Sequence, residues 1–110
     1  MFNINRTYAL TTGVKSKGLA VLNDNKTTYV IQHRTIVFKA PSGMLTNGFI
    51  EINNGGWDTV STRMTINQAL WEYGSSYRLA RIKGQTYLIG SNGFKTVFGH
   101  MARFKNVLSL

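Results

Sequence analysis

Apolar and polar positions alternate with a period of two in several short stretches of this chain, and with a helical period in one. "GLAVLN" (18–23) and "TTYVIQ" (27–32) carry aliphatic, β-branched and aromatic residues and are separated by turn-forming Asn23-Asp24-Asn25-Lys26. "TIVFKA" (35–40) resumes the strand pattern after His33-Arg34. In "GFIEIN" (48–53), Ile50 and Ile52 share one face and Phe49 and Glu51 the other, the signature of a half-buried strand. Between these lies "APSGMLTNG" (40–48), with the only proline, Pro41, and two glycines, which predicts a loop.

Asn54-Gly55-Gly56 turns the chain, because glycine reaches positive φ without a steric penalty. Ser61 or Thr62 then caps a helix at about 62–73. Ile66, Ala69, Leu70 and Tyr73 fall at i, i+3, i+4 and i+7, one apolar stripe, and Gly74 stands where a terminating glycine belongs. A hairpin follows: "YRLARI" (77–82), a turn at Lys83-Gly84, and "QTYLIG" (85–90). On its first strand Arg78, Ala80 and Ile82 share one face and Tyr77, Leu79 and Arg81 the other. Neither face is purely polar, so both are expected to be partly covered. The tail from Gly93 to Leu110 mixes "FKTVF" and "MARFKNVLSL", and its last residues fit strand or short helix. The pattern predicts one α+β domain over residues 1–110. It is a small, mostly antiparallel sheet of about six strands with one amphipathic helix, barrel closure being one arrangement open to it.

Composition adds a charge asymmetry. Thirteen Lys and Arg stand against four acids, Asp24, Glu51, Asp58 and Glu72, for a net charge of +9. Beyond Tyr73 there is no acid at all, against Arg78, Arg81, Lys83, Lys95, Arg103 and Lys105. Such an excess points to a polyanionic partner, most often nucleic acid, with an acidic protein surface as the competing partner. No stretch approaches the roughly eighteen apolar residues of a membrane-spanning helix. The N-terminal "MFNINRTYALTTG" has no apolar signal-peptide core and reads as mature sequence. Cysteine is absent, which removes disulfides, thiolate metal sites and cysteine nucleophiles and fits a reducing, cytoplasmic setting.

Catalytic chemistry is poorly represented. General acid–base catalysis wants a carboxylate pair or a positioned histidine. The four acids are scattered, with Glu51 and Asp58 reading as two surface charges, and His33 and His100 lack any ligand spacing. The hydroxyls of "TVSTRMT" have no partnered base, and neither nucleotide-phosphate glycine motif is present. The expectation is a non-enzymatic protein with no cofactor and no metal.

Nucleic-acid contact has better raw material, since thirteen aromatics are interleaved with cations, as at Tyr77-Arg78, Phe94-Lys95 and Arg103-Phe104-Lys105. Arg63, Arg78, Arg81, Lys83, Arg103 and Lys105 are the expected phosphate contacts, and Tyr77 and Tyr87 the expected stacking partners. These features do not choose between DNA and RNA or between single and double strands.

The stretch "IEINNGGWDTVSTRMTINQAL", flanked by "TYVIQHRTIVFK" and "YRLARIKGQTYLI", resembles a group of small uncharacterised bacteriophage proteins. The matching positions are Gly55, Gly56, Trp57, Thr59, Ser61, Thr62, Arg63 and Asn67, with Ile31, His33, Thr35 and Ile36 upstream. Asp58 stands where that group has a basic or neutral polar residue, and Met64 and Thr65 where it often has basic ones. The resemblance implies an accessory role in the cytoplasm of an infected bacterial host, where a host bacterial protein is the alternative partner to nucleic acid. The motif itself has two readings. Structurally, Trp57 anchors a small core and the hydroxyls cap the helix. Functionally, the helix start and Arg63 receive a phosphate. Asn67, a poor helix former in mid-helix, is expected to bond a neighbouring loop or face a ligand.

Overall fold

The computed structural model describes residues 19–23, 26–42 and 48–108, with backbone alone for the first of these segments. The N-terminal stretch, Asp24 and Asn25 of the first turn, and residues 43–47 of the loop lie outside the described residues. Eight strands and one helix are described. They are β1 Leu19–Asn23, β2 Thr27–Gln32, β3 Thr35–Pro41, β4 Phe49–Asn53, α1 Val60–Tyr73, β5 Arg78–Ile82, β6 Gln85–Ile89, β7 Lys95–Val97 and β8 Met101–Lys105.

The α+β class follows, with every strand pair antiparallel. Two features differ from the sequence reading. The expected six strands are joined by β7 and β8, cut from the tail, and the strands form two open sheets rather than a barrel. One sheet has five strands in the order β1-β2-β3-β4-β8 and the other three in the order β5-β6-β7. The division arises at α1, which separates β4 from β5 in the chain and packs against both β3 and β5.

Tight turns hold the hairpins in register. Gln32 and Thr35 pair across His33 and Arg34, which take φ values of 49° and 69°. Ile82 and Gln85 pair across Lys83 and Gly84, both also at positive φ. Both turns have the two left-handed central residues that suit the right-handed twist of flanking strands.

Helix α1 starts earlier than expected. Thr59, not Ser61 or Thr62, is the N-cap: its backbone is extended and its hydroxyl accepts the Thr62 N–H at 3.2 Å. At the other end Gly74 takes φ 85° and Ser75 N–H returns to the Leu70 carbonyl at 2.9 Å, closing the helix as the glycine predicted. The buried stripe is Ile66, Ala69, Leu70 and Tyr73, joined by Thr62 and Thr65. These side chains meet Val30, Phe38, Ile50 and Ile52 of the large sheet and Leu79, Leu88 and Phe98 from the small-sheet side in one core. Tyr73 ties the layers, its ring edge-on to Phe38 and its hydroxyl donating to the Pro41 carbonyl at 2.8 Å. In β4 the expected alternation holds, with Ile50 and Ile52 fully buried.

Candidate nucleic-acid interface

The residues expected to contact phosphate do not form one patch. Arg63 and Arg81 converge on Asp58, each donating through Nη1, at 2.5 Å to Oδ1 and at 2.6 Å to Oδ2. Thr86 Oγ1 donates to the same carboxylate at 2.8 Å. Partial burial pushes the Asp58 carboxyl up, but the Thr86 and Arg63 hydrogen bonds and the two guanidinium charges outweigh it and hold the pKa below its ordinary value. Asp58 is thus a structural clamp joining the helix start to the small sheet, and its two arginines are already engaged.

Tyr77 also has a structural place. Its ring is half-buried, edge-on to Phe94 with centroids 5.7 Å apart and 4.4 Å from that of Phe104. It fills the space over Gly90, where a Cβ would lie 2.7 Å from the ring. This aromatic cluster links the small sheet to β8.

Asn67 bonds a strand. Its amide nitrogen donates to the Leu79 carbonyl at 2.9 Å and its oxygen accepts the Leu79 N–H at 2.6 Å. Leu79 sits on β5, the edge of the three-stranded sheet, so the carboxamide pairs backbone groups that no further strand satisfies.

The remaining predicted residues lie on open sheet faces. On the small sheet, Arg78, Ile89 and Lys95 stand in one row and Ala80, Tyr87 and Val97 in the next. Lys95 Nζ lies 4.4 Å from the Tyr87 ring centroid. Lys83 is exposed at the hairpin tip of this sheet.

The large sheet carries the richer face. Tyr29, Lys39, Glu51 and Arg103 form one row across β2, β3, β4 and β8, and Phe49 pairs with Lys105 beside it. Alternate residues point into the core, so this face looks outward. Lys39, Phe49, Arg103 and Lys105 are exposed. The Arg103 guanidinium stacks over the Phe49 ring at 4.2 Å, and Lys39 Nζ lies 5.9 Å from the Tyr29 centroid. Glu51 stands between Lys39 and Arg103 without a salt bridge to either. A cleft of about 510 Å³ opens here, lined among others by Lys26, Lys39, Phe49, Glu51 and Arg103.

Sequence reasoning finds Arg103 and Lys105 but misses Tyr29, Lys39 and Phe49. The signal is present in the period-two pattern: Phe49 and Glu51 lie on the non-aliphatic face of β4, and Tyr29 and Lys39 alternate with buried Val30 and Phe38. The pairing across strands, which assembles them, is not.

At the opening corner, Gly55 and Gly56 take φ of 66° and 87°, and Trp57 N–H closes the turn on the Asn54 carbonyl at 2.9 Å. Trp57 is not a core anchor. It is 68% exposed. The hydroxyls beside it bond within the protein: Thr59 to Thr62 at 3.0 Å, and Ser61 to the Gln32 amide at 3.0 Å. Among the described residues no group of three or more His, Asp or Glu side chains is arranged to hold a metal, and no helix is long and apolar enough to cross a membrane. Comparison with protein-family models, curated proteins and solved structures finds no match.

Proposed function

We propose that this is a non-enzymatic protein that binds single-stranded nucleic acid across the outer face of its five-stranded sheet. One observation carries the reading: the Tyr29-Lys39-Glu51-Arg103 row and the adjoining Phe49-Lys105 pair put three cations and two aromatic rings on one outward face. Unpaired bases stack on such rings while cations follow the phosphates, a combination a duplex cannot use because its bases are stacked inside. Lys39, Arg103 and Lys105 pair with no carboxylate among the described residues, so they meet a phosphate without first breaking an ion pair. On the resemblance to small phage proteins, the setting is the cytoplasm of an infected bacterium. Binding of a labelled single-stranded oligonucleotide at low salt, with a duplex of the same sequence as competitor, tests the reading. Absence of binding, or preference for the duplex, defeats it.

A second reading, a protein directed at an acidic surface of a host enzyme or defence complex, draws on a different observation. Val60, Met64 and Trp71 are exposed on one side of α1, an apolar strip of the kind that anchors protein contacts. Capture of a host protein from nuclease-treated lysate by the wild type, and not by Trp71→Ala, favours this alternative.

A further inference from the structure

A second cavity, of about 420 Å³, lies between the β2–β3 turn and the start of α1, and the Gly-Gly-Trp corner forms part of its wall. It lies at the opposite end of β3 from the basic cleft, since Thr35 lines one and Pro41 the other. Its size falls within the range of small-molecule sites, about 300–1,000 Å³.

Its lining is unlike the basic face. Gln32, His33, Thr35, Val37, Asn54, Trp57 and Ser61 contribute, and no Lys, Arg, Asp or Glu does. A phosphate would meet no lysine or arginine there, and His33 is the one titratable side chain of the lining, so the lining suits a neutral polar group better than an ion. Trp57, 68% exposed, offers an indole face on which a flat ring can stack. Asn54 supplies direction. It is only 4% exposed, and its carboxamide oxygen is held by the Gly56 N–H at 2.8 Å. Its amide nitrogen makes no hydrogen bond among the described residues and keeps contact with solvent, so it is open to a ligand. A donor held in place by its own turn and left without an acceptor, beside an exposed indole, is matched by a planar heterocycle with acceptor atoms at its edge.

We propose that this cavity binds a nucleobase, stacked against Trp57 and accepting a hydrogen bond from Asn54 Nδ2. The base comes either from a free nucleoside or from an unpaired residue of a strand. The site is separate from the sheet face, so either can exist without the other.

The test is a titration of isotope-labelled protein, followed by backbone amide shifts, with the common ribonucleosides at millimolar concentration and separately with short single strands. The expected result is a saturable shift at Thr35, the 54–57 turn and Ser61. Asn54→Asp keeps the oxygen that holds the turn but removes the donor. It is expected to weaken binding about three- to tenfold, the value of one hydrogen bond. Trp57→Ala, at an exposed position that spares the core, is expected to weaken it comparably. Shifts with nucleosides identify a free base as sufficient, and shifts with strands alone identify a base presented by a strand; both support the site. No shift at this corner with either probe overturns it, and so does binding unchanged in both variants. Shifts confined to Lys39, Phe49 and Arg103 overturn this site while leaving the sheet-face reading intact.

Discussion

Gly55 and Thr35 approach so closely that a Cβ placed on Gly55 would lie 2.8 Å from Thr35 Oγ1 and 3.0 Å from its methyl group. The contact joins the Gly-Gly turn to the start of β3, and it makes the two neighbouring glycines unequal. Gly56 has a similar left-handed φ, but nothing lies within 4 Å of its Cβ position. Gly55→Ala is therefore expected to cost about 2–3 kcal/mol, strain plus a clash, and Gly56→Ala about 1 kcal/mol of strain alone. Urea unfolding of the two variants measures the difference; equal losses would show that the Thr35 contact yields freely.

The double bond from Asn67 to Leu79 predicts a larger effect than its half-buried position suggests. Asn67→Leu leaves the N–H and C=O of an edge-strand residue without partners, for an expected loss of about 2–4 kcal/mol. Asn67→Asp is also expected to destabilise, because a carboxylate then faces the Leu79 carbonyl. Thermal unfolding checks both. A loss of only a few tenths of a kcal/mol in either variant would mean that water replaces the carboxamide.

How much of this is legible in the sequence depends on how far apart the partners lie. The helix stripe from Ile66 to Tyr73, the Gly74 stop and the strands at Thr27–Gln32 and Gln85–Ile89 are readable, because period and turn chemistry are local. Strands β7 and β8 are not, since Lys95–Val97 is exposed throughout and Met101–Lys105 buries no side chain fully. Trp57 misleads for a related reason: a large apolar residue after a glycine turn suggests a core plug, but the direction in which the turn releases it is not written in composition. Asp58 takes its partners from positions 63, 81 and 86, and only the fold brings those together. As a result two of the six cations expected to meet phosphate are already bound.

The Asp58 clamp and Glu72 have opposite pH signatures. The folded Asp58 pKa lies below its ordinary value near 3.8, so its stabilisation is present above that value and is lost as pH falls through the lower folded one. Burial raises the Glu72 pKa above its ordinary 4.5, so the fold favours the protonated form, and that contribution is lost as pH rises through the folded value. Asp58→Asn is expected to lower stability at neutral pH by about 1 kcal/mol and to flatten the acid limb of the profile. Glu72→Gln is expected to raise stability slightly at neutral pH. Denaturation across pH 2–7, roughly the span in which carboxylates titrate, distinguishes them; an unchanged acid limb in Asp58→Asn would remove the clamp from the account.

Tyr77 and Tyr87 are expected to separate by what their loss damages. Tyr77→Ala opens a void beside Phe94 and Phe104 and is expected to cost about 3 kcal/mol or more. Tyr87→Ala removes a half-buried ring from an open sheet face and is expected to cost less than half as much. Calorimetry gives the comparison, and equal losses would place Tyr87 in the core instead.

The central claim is that phosphates meet Lys39, Arg103 and Lys105 on the large sheet and not the arginines held by Asp58. Its most direct test is the salt dependence of single-strand binding by the wild type, by Lys39→Gln/Arg103→Gln and by Arg63→Gln/Arg81→Gln. Removing one cation that meets a phosphate lowers the slope of log affinity against log salt by about 0.7 for a single strand. The sheet-face variant is expected to lose about 1.4 of slope and the Asp58-side variant almost none. Equal slopes in the wild type and the sheet-face variant, with the loss appearing in the Arg63/Arg81 variant, would contradict the account.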